Sequence, residues 1–301
     1  SAMICTLKRE KTRKTARRRS GFLLFTSWQY LVLLAAVCTV HYILPHRARW
    51  VPLLAASYFF YMQWNAKLVV LILASTLASY GAALCIARAK RAGVRRLFLW
   101  LDISFHLGLL FFFKYFNFFA RNLTALLELA RLPAHSFEMD ILLPVGISFY
   151  TFQTLSYVID VYRGRCEAER HLGYYALFVS FFPQLVAGPI ERAGNLLSQL
   201  RARRTARPGH FSRGLRLICW GFVKKLWLAD VLAELVDILF RDAVNAAATP
   251  MGNVVAGVFF AFQLYCDFSA YSDIAIGSAL LLDIRLTENF CAPFFARSTR
   301  E

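Results

Sequence analysis

The sequence predicts an all-α fold, a polytopic transmembrane helical bundle with short, broken or re-entrant helices. Three observations predict it. Of the 301 residues, 58% are hydrophobic and 18% charged, whereas about a quarter of an ordinary soluble domain is charged. The apolar residues run in long blocks, several of them approaching the roughly 20 residues that a helix needs to cross a bilayer. Glycine and proline fall inside some of these blocks, where regular helix cannot continue undisturbed.

Residues 1–23 read as a basic, unordered N-terminal extension carrying Lys8, Arg9, Lys11, Arg13, Lys14, Arg17, Arg18 and Arg19. It superficially resembles the charged start of a signal peptide. No small-residue cleavage site follows the first apolar run, so Trp28 to Leu44 reads as a retained span. Val51 to Tyr61 is too short to cross upright. Leu68 to Ala87 carries no charge, and Leu97 to Ala120 is interrupted by Asp102, His106, Lys114 and Asn117. Leu142 to Tyr162, Tyr174 to Ile190, Leu215 to Phe240 and Val254 to Leu282 complete a set of about seven to nine membrane segments.

The net charge of +17 does not point to nucleic acid. Lys and Arg sit between apolar segments, as they do in loops that stay in the cytoplasm. Arg88, Lys90, Arg91, Arg95 and Arg96 form one such cluster, and Arg201, Arg203, Arg204 and Arg207 another. Arg47 and Arg49 join them if Val51–Tyr61 and Leu68–Ala87 form a hairpin. Alternation then puts the N-terminus outside, against the basic tail: either the short second run does not cross, or the tail is not a native part of the topology. The seven cysteines lack zinc-type spacing, so neither a disulfide framework nor a metal site is expected.

Ionisable groups within apolar segments are costly and carry functional hypotheses. Gln263 to Gly277 holds Asp267, Asp273, Ser269, Ser272, Tyr265 and Tyr271 within a long hydrophobic run. On one helix Asp267 and Asp273 point about 120° apart, so a break near Phe268 to Ala270 would be needed for both to meet one cavity. Interhelical polar contacts explain them equally well. Asp102, His106 and Lys114 share one broad side of their segment, read as an internal ion pair plus a lysine reaching the interface. Among the six histidines, His41, His46, His106, His135, His171 and His210, none shows a triad pattern. Phe182-Pro183-Gln184-Leu185-Val186-Ala187-Gly188-Pro189 reads either as a surface loop or as a re-entrant element lining a cavity.

Four stretches in this order resemble the membrane-bound O-acyltransferases, and most closely their bacterial branch that acetylates exported polysaccharides such as alginate. The first runs from Leu24-Phe25-Thr26-Ser27 through Ser57-Tyr58-Phe59-Phe60-Tyr61 to Trp64-Asn65. Leu143 to Gln153 and Phe181 to Ile190 follow. The last is Asp267 to Gly277 with Glu288-Asn289-Phe290 and Pro293-Phe294. The resemblance covers residues 24–301, implying the N-terminal part of an acyltransferase domain.

The resemblance implies acyl transfer from a thioester or acyl-protein to a hydroxyl, with a histidine as general base. It implies an acyl donor, acetyl-CoA or an acyl-carrier thioester, as co-substrate and no bound cofactor. The implied partners are the bilayer, a polysaccharide acceptor and other polysaccharide-modification proteins, in the bacterial cytoplasmic membrane. The family's essential histidine follows the stretch found here at Ala296-Arg297-Ser298. The expectation is thus a fragment with no catalytic histidine before Glu301. Gln153, Gln184, Asp267, Ser272, Asp273 and Asn289 are the candidates for lining a tunnel between donor and acceptor, being polar residues in apolar surroundings within or beside the family-like stretches. The rival reading is a polytopic transporter or flippase component without covalent chemistry.

Overall fold

A computed structural model describes residues 25–130, 139, 143–185, 188–203, 205, 207–244, 250–290 and 293–298. The basic extension and His135 lie outside the described residues. Every regular element among those described is helical. Helix α1, Trp28–Ile43, starts where the Ser27 hydroxyl accepts from the Tyr30 amide. It ends before Pro45, which holds Leu44 in extended backbone. Helix α2, Trp50–Met62, carries Pro52 in its first turn, where no amide partner is lost. Helix α3, Val69–Arg88, follows a short 3-10 turn capped by Asn65.

Helices α4, Ala92–Leu110, and α5, Phe116–Leu129, run into one another through a π-turn over Phe111–Tyr115. Helix α6 is Ile147–Tyr162, α7 Leu172–Ser180 and α8 Ala193–Arg201. A second π-turn, Lys224–Ala229, joins α9, Pro208–Val223, to α10, Asp230–Val244. Helix α11, Pro250–Leu281, is the longest uninterrupted α-helix. Among the described residues three stretches are long and apolar enough to cross a membrane: Ala66–Arg88, Ala92–Leu129 and Pro250–Leu281. The chain is an all-helical membrane protein.

Three expected segments take a different form. The run from Leu142 is helical only from Ile147, because Pro144 and Gly146 precede it; Gly146 has φ +74° and caps α6. The run Tyr174 to Ile190 is helical only to Ser180. The run from Leu215 lies inside a longer helical stretch that carries Lys224, Lys225, Asp230 and Glu234, too many charges for a plain span.

Two packing arrangements place the polar residues. Helix α7 has nine residues, about 14 Å of helix, and is buried among α2, α3, α6 and α8. The Tyr175 hydroxyl donates to Ser79 Oγ at 2.6 Å, and the Tyr157 and Tyr175 rings lie 4.7 Å apart. The chain leaving α7 stays inside the protein: Phe182, Gln184 and Leu185 are buried, and the Phe182 amide donates to Ser57 Oγ at 3.1 Å. The stretch that follows the helix, from Phe181 to Leu185, is therefore buried within the protein. Against α11, α9 makes the closest helix contact. A Cβ on Gly277 would lie 2.6 Å from Gly214 O, and one on Gly221 2.8 Å from Ala270 O, so glycine alone allows the two backbones this approach.

The basic loops gather at one end. His46 Nε2 lies 2.9 Å from Arg201 O, Arg201 pairs with Glu169, and Arg95 donates to Tyr162 O at 2.7 Å. The loop ahead of α2 thus shares an end with the loops at 88–96 and 201–207, the arrangement expected if α2 and α3 form a hairpin.

Candidate functional site

Two polar centres lie within the helical body. The first joins α6 to the buried turn after α7. Gln153 donates through Nε2 to Phe178 O at 2.8 Å, and Gln184 donates through Nε2 to Gln153 Oε1 at 2.9 Å. Both side chains are buried, at 4% and 3% exposure, so these bonds replace water that the amides lost. Phe178 is in the last turn of α7, whose carbonyls have no helical partner of their own. Among the described residues Gln184 Oε1 and Thr151 Oγ1 are buried without a hydrogen-bond partner, while the Tyr61 and Tyr150 hydroxyls face one another. Such acceptors and donors are costly unless a further group satisfies them.

The second centre is on α11. No break interrupts this helix near Phe268 to Ala270; it runs unbroken from Pro250 to Leu281. Of the two readings of the aspartates, a break opening on one cavity and polar contacts between helices, the unbroken helix leaves the second. Ala270 faces Gly221 of α9, and Asp267 and Asp273 stand three residues to either side of it, each about 60° around the helix from the contact. They straddle the α9–α11 seam, and two adjacent lysines of the second π-turn reach them. Lys225 Nζ lies 2.6 Å from Asp267 Oδ1 and 2.9 Å from Asp230 Oδ1, while Lys224 pairs with Asp273 and donates to Ser269 Oγ at 3.2 Å. All four charges of the two α11 pairs are mostly withdrawn from the surface, with side-chain exposures of 13–30%. Each ion therefore needs its partner.

Asn289 returns beside α11, its Nδ2 at 3.5 Å from Ser272 Oγ. The Phe290 ring packs on Phe268 at 5.4 Å. Phe268 also meets Phe149 of α6 at 6.4 Å, one turn ahead of Gln153, which connects the two centres. The six candidate residues thus fall into four local groupings: Gln153 with Gln184, Asp267 with Lys225, Asp273 with Lys224, and Ser272 with Asn289. Asp102 and His106 face each other at 3.3 Å, fully buried, and Lys114 reaches Ser148 Oγ at 3.3 Å, the arrangement of a structural pair and an outlying lysine.

Sequence reasoning missed three buried acids at the basic end, because they sit between the apolar runs. Glu169 binds Arg201 and accepts from the His171 amide at 2.8 Å. Glu191 accepts from the Thr287 amide and hydroxyl and from Asn195 at 2.7 Å. Asp283 holds His210 Nδ1 at 2.5 Å. Arg285 approaches His210 Nε2 at 2.8 Å; since arginine only donates, that nitrogen accepts and Nδ1 carries the proton toward Asp283. His171 caps α7, accepting from the Tyr174 amide.

An all-helical body with long apolar helices and with polar groups and ion pairs held between its helices defines a class, that of polytopic membrane proteins. Comparison with known proteins points to one family. Residues 169–300 match the model of the membrane-bound O-acyltransferase family. It is 38% identical over 291 residues to a probable alginate O-acetylase of Pseudomonas putida, covering 93% of this chain and 57% of that protein. It is 32% identical over 275 residues to a peptidoglycan O-acetyltransferase of Helicobacter pylori, covering 83% and 51%. A teichoic acid D-alanyltransferase of Streptococcus thermophilus is 27% identical over 165 residues, covering 52% and 39%. The chain spans about half the length of these curated relatives or less.

Proposed function

We propose that the protein formed with this chain is a membrane-embedded O-acyltransferase that moves an acyl group, an acetyl group above all, onto a hydroxyl of an exported polysaccharide such as alginate. The donor is acetyl-CoA or an acyl-carrier thioester, presented from the cytoplasm at the basic end, and the membrane is the bacterial cytoplasmic membrane. Other polysaccharide-modification proteins complete the export route. The observation that carries this reading is the similarity, over most of the chain, to two proteins named for O-acetylation of cell-surface polymers.

The buried amides support a role for this part of the chain. Gln153 and Gln184 form a hydrogen-bonded pair with an acceptor left over on Gln184. A hydroxyl on its way to acylation is a donor that suits such a group. Asp267 and Asp273 are held by lysines in this reading, so they act as fixed charges that orient α9 and α11 around the passage, and the general base is a histidine, as the family resemblance implies. The described histidines that bind neighbours, His46, His106, His171 and His210, are engaged structurally.

The natural gene product carrying these residues is to be expressed in a polysaccharide-producing bacterium lacking its own acetylase, and the O-acetyl content of the exported polymer measured. Acetylation is expected to return, and Gln184→Leu to lower it by roughly tenfold or more while the protein remains in the membrane. A polymer that stays unacetylated when the protein is present in the membrane overturns the proposal.

A further inference from the structure

A crevice of about 380 Å³ runs between α1 and α9, outside both polar centres. Leu31, Ala35 and Tyr42 line it from α1, and Phe211, Leu215 and Ile218 from α9. From Leu31 to Tyr42 is eleven helical steps, about 16 Å, the scale of a lipid chain lying along the helix. Leu31, Ala35, Phe211 and Leu215 are exposed, so the crevice opens sideways where the bilayer would be. It offers no free polar group. Thr39 donates to Ala35 O at 2.9 Å, and the Tyr42 hydroxyl to Leu281 O at 2.8 Å. A saturated alkyl chain fits such a lining, while a sugar or a peptide would leave its own polar groups unpaired.

The rim supplies a second, independent feature. At the basic end of the molecule the Arg49 guanidinium lies 5.9 Å from the centre of the Tyr42 ring and donates through Nε to Leu44 O at 3.0 Å. Arg207 stands one turn ahead of Phe211, whose amide donates to Arg207 O at 3.0 Å. Its side chain is 58% exposed, and its approach to Asp283 is a loose 3.8 Å. An apolar slot with two arginines beside the residues that line its basic end, Arg49 by Tyr42 and Arg207 by Phe211, is complementary to a chain that ends in a phosphate. Anionic lipid headgroups are attracted to arginines near a membrane surface, and guanidinium groups match phosphate oxygens in pairs.

We propose that this crevice is a site for one anionic phospholipid, with an acyl chain between α1 and α9 and its phosphate at Arg49 and Arg207. The site is independent of the acyl-transfer reading: it needs no donor, no acceptor and no turnover. Its occupant ties α1 to α9 at the basic end.

The test uses the natural gene product in detergent, with native mass spectrometry reading the lipids retained from mixtures of phosphatidylglycerol and phosphatidylcholine of identical chains. Phosphatidylglycerol is expected to be retained on the order of tenfold better. Arg207→Gln is expected to remove most of that preference, and Ala35→Trp to lower retention of both lipids. Should Ala35→Trp not fold, Leu215→Trp fills the slot from the other helix. A phosphatidylglycerol carrying a photoreactive group in its chain is expected to label residues 31–42 and 211–218 of the unmodified protein. Equal retention of the two lipids, or labelling spread over other helices with none in these stretches, overturns the proposal. Labelling by the phosphatidylcholine analogue to the same extent reduces the site to an unspecific lipid contact and overturns it as well.

Discussion

Lys225 holds two carboxylates at once, Asp267 of α11 at 2.6 Å and Asp230 of α10 at 2.9 Å. One cation thereby ties the π-turn to the helix that follows it and to the helix it packs against. Lys224 beside it serves Asp273. The pair of adjacent lysines explains how one unbroken helix can carry two aspartates that diverge around its axis.

Removal of one partner from this arrangement leaves a withdrawn charge uncompensated. Lys225→Met is expected to lower stability by about 1–3 kcal/mol, a value set below that for a fully buried pair because Asp267 and Asp230 keep some contact with solvent. Asp267→Asn on top of Lys225→Met is expected to recover part of the loss. Thermal unfolding in detergent of the wild type, both single variants and the double variant checks this, and additive losses would mean the pair contributes no coupling.

The α9–α11 seam makes a second prediction. Gly277→Ala places a methyl group 2.6 Å from Gly214 O and is expected to cost about 1–3 kcal/mol by forcing the helices apart. Gly81→Ala in α3, where nothing lies within 4 Å of the new atom, is expected to be neutral or stabilising by up to about 1 kcal/mol, from helix propensity alone. Equal effects of the two substitutions in an unfolding assay would refute the close-approach account.

Orientation follows from the basic loops. Single cysteines at positions 47, 91 and 203, in a background without other cysteines, are expected to resist a membrane-impermeant maleimide in intact cells and to react after the cells are opened. The three should behave alike, because the contacts of His46, Arg201, Glu169 and Arg95 bring these loops to one end. Labelling of one from outside and protection of the others would break the hairpin arrangement.

Cys166 lies in the connection between α6 and α7, outside the spans. Burial, with Asp160 adding to it, pushes its thiol up to about 11. The thiolate is the reactive form, so alkylation of Cys166 in the folded protein is expected to be slower at pH 7.5 than that of an unperturbed thiol by roughly two orders of magnitude, and to rise with pH through the alkaline range. Peptide mapping after timed alkylation measures it. A rate that levels off near pH 8.5 contradicts the burial effect.

The helices were legible because length and hydropathy mark a membrane segment without any tertiary information. Gln153 and Gln184 stood out as polar residues in apolar runs, but their pairing with each other was not readable from either run alone. The aspartates of α11 were legible as costly, but their partners were not. Lys224 and Lys225 sit in another apolar run, and only the packing of Gly221 on Ala270 brings the two runs together. A match of opposite charges between runs, two lysines against two aspartates, was the signal available. The π-turns left no sequence signal, since their bonding is set by the neighbours that the wider turn reaches. Glu169, Glu191 and Asp283 were hidden because acids in loops are ordinary until the fold buries them.

The short helix α7 ends inside the protein, and its last carbonyls point into the space that Gln153 and Gln184 occupy. Aligned peptide groups leave about half a negative charge at such an end, here far from water that could screen it. The neighbourhood therefore has a sign although none of its side chains is charged. It repels an alkoxide or carboxylate and welcomes the positive end of an O–H or N–H bond.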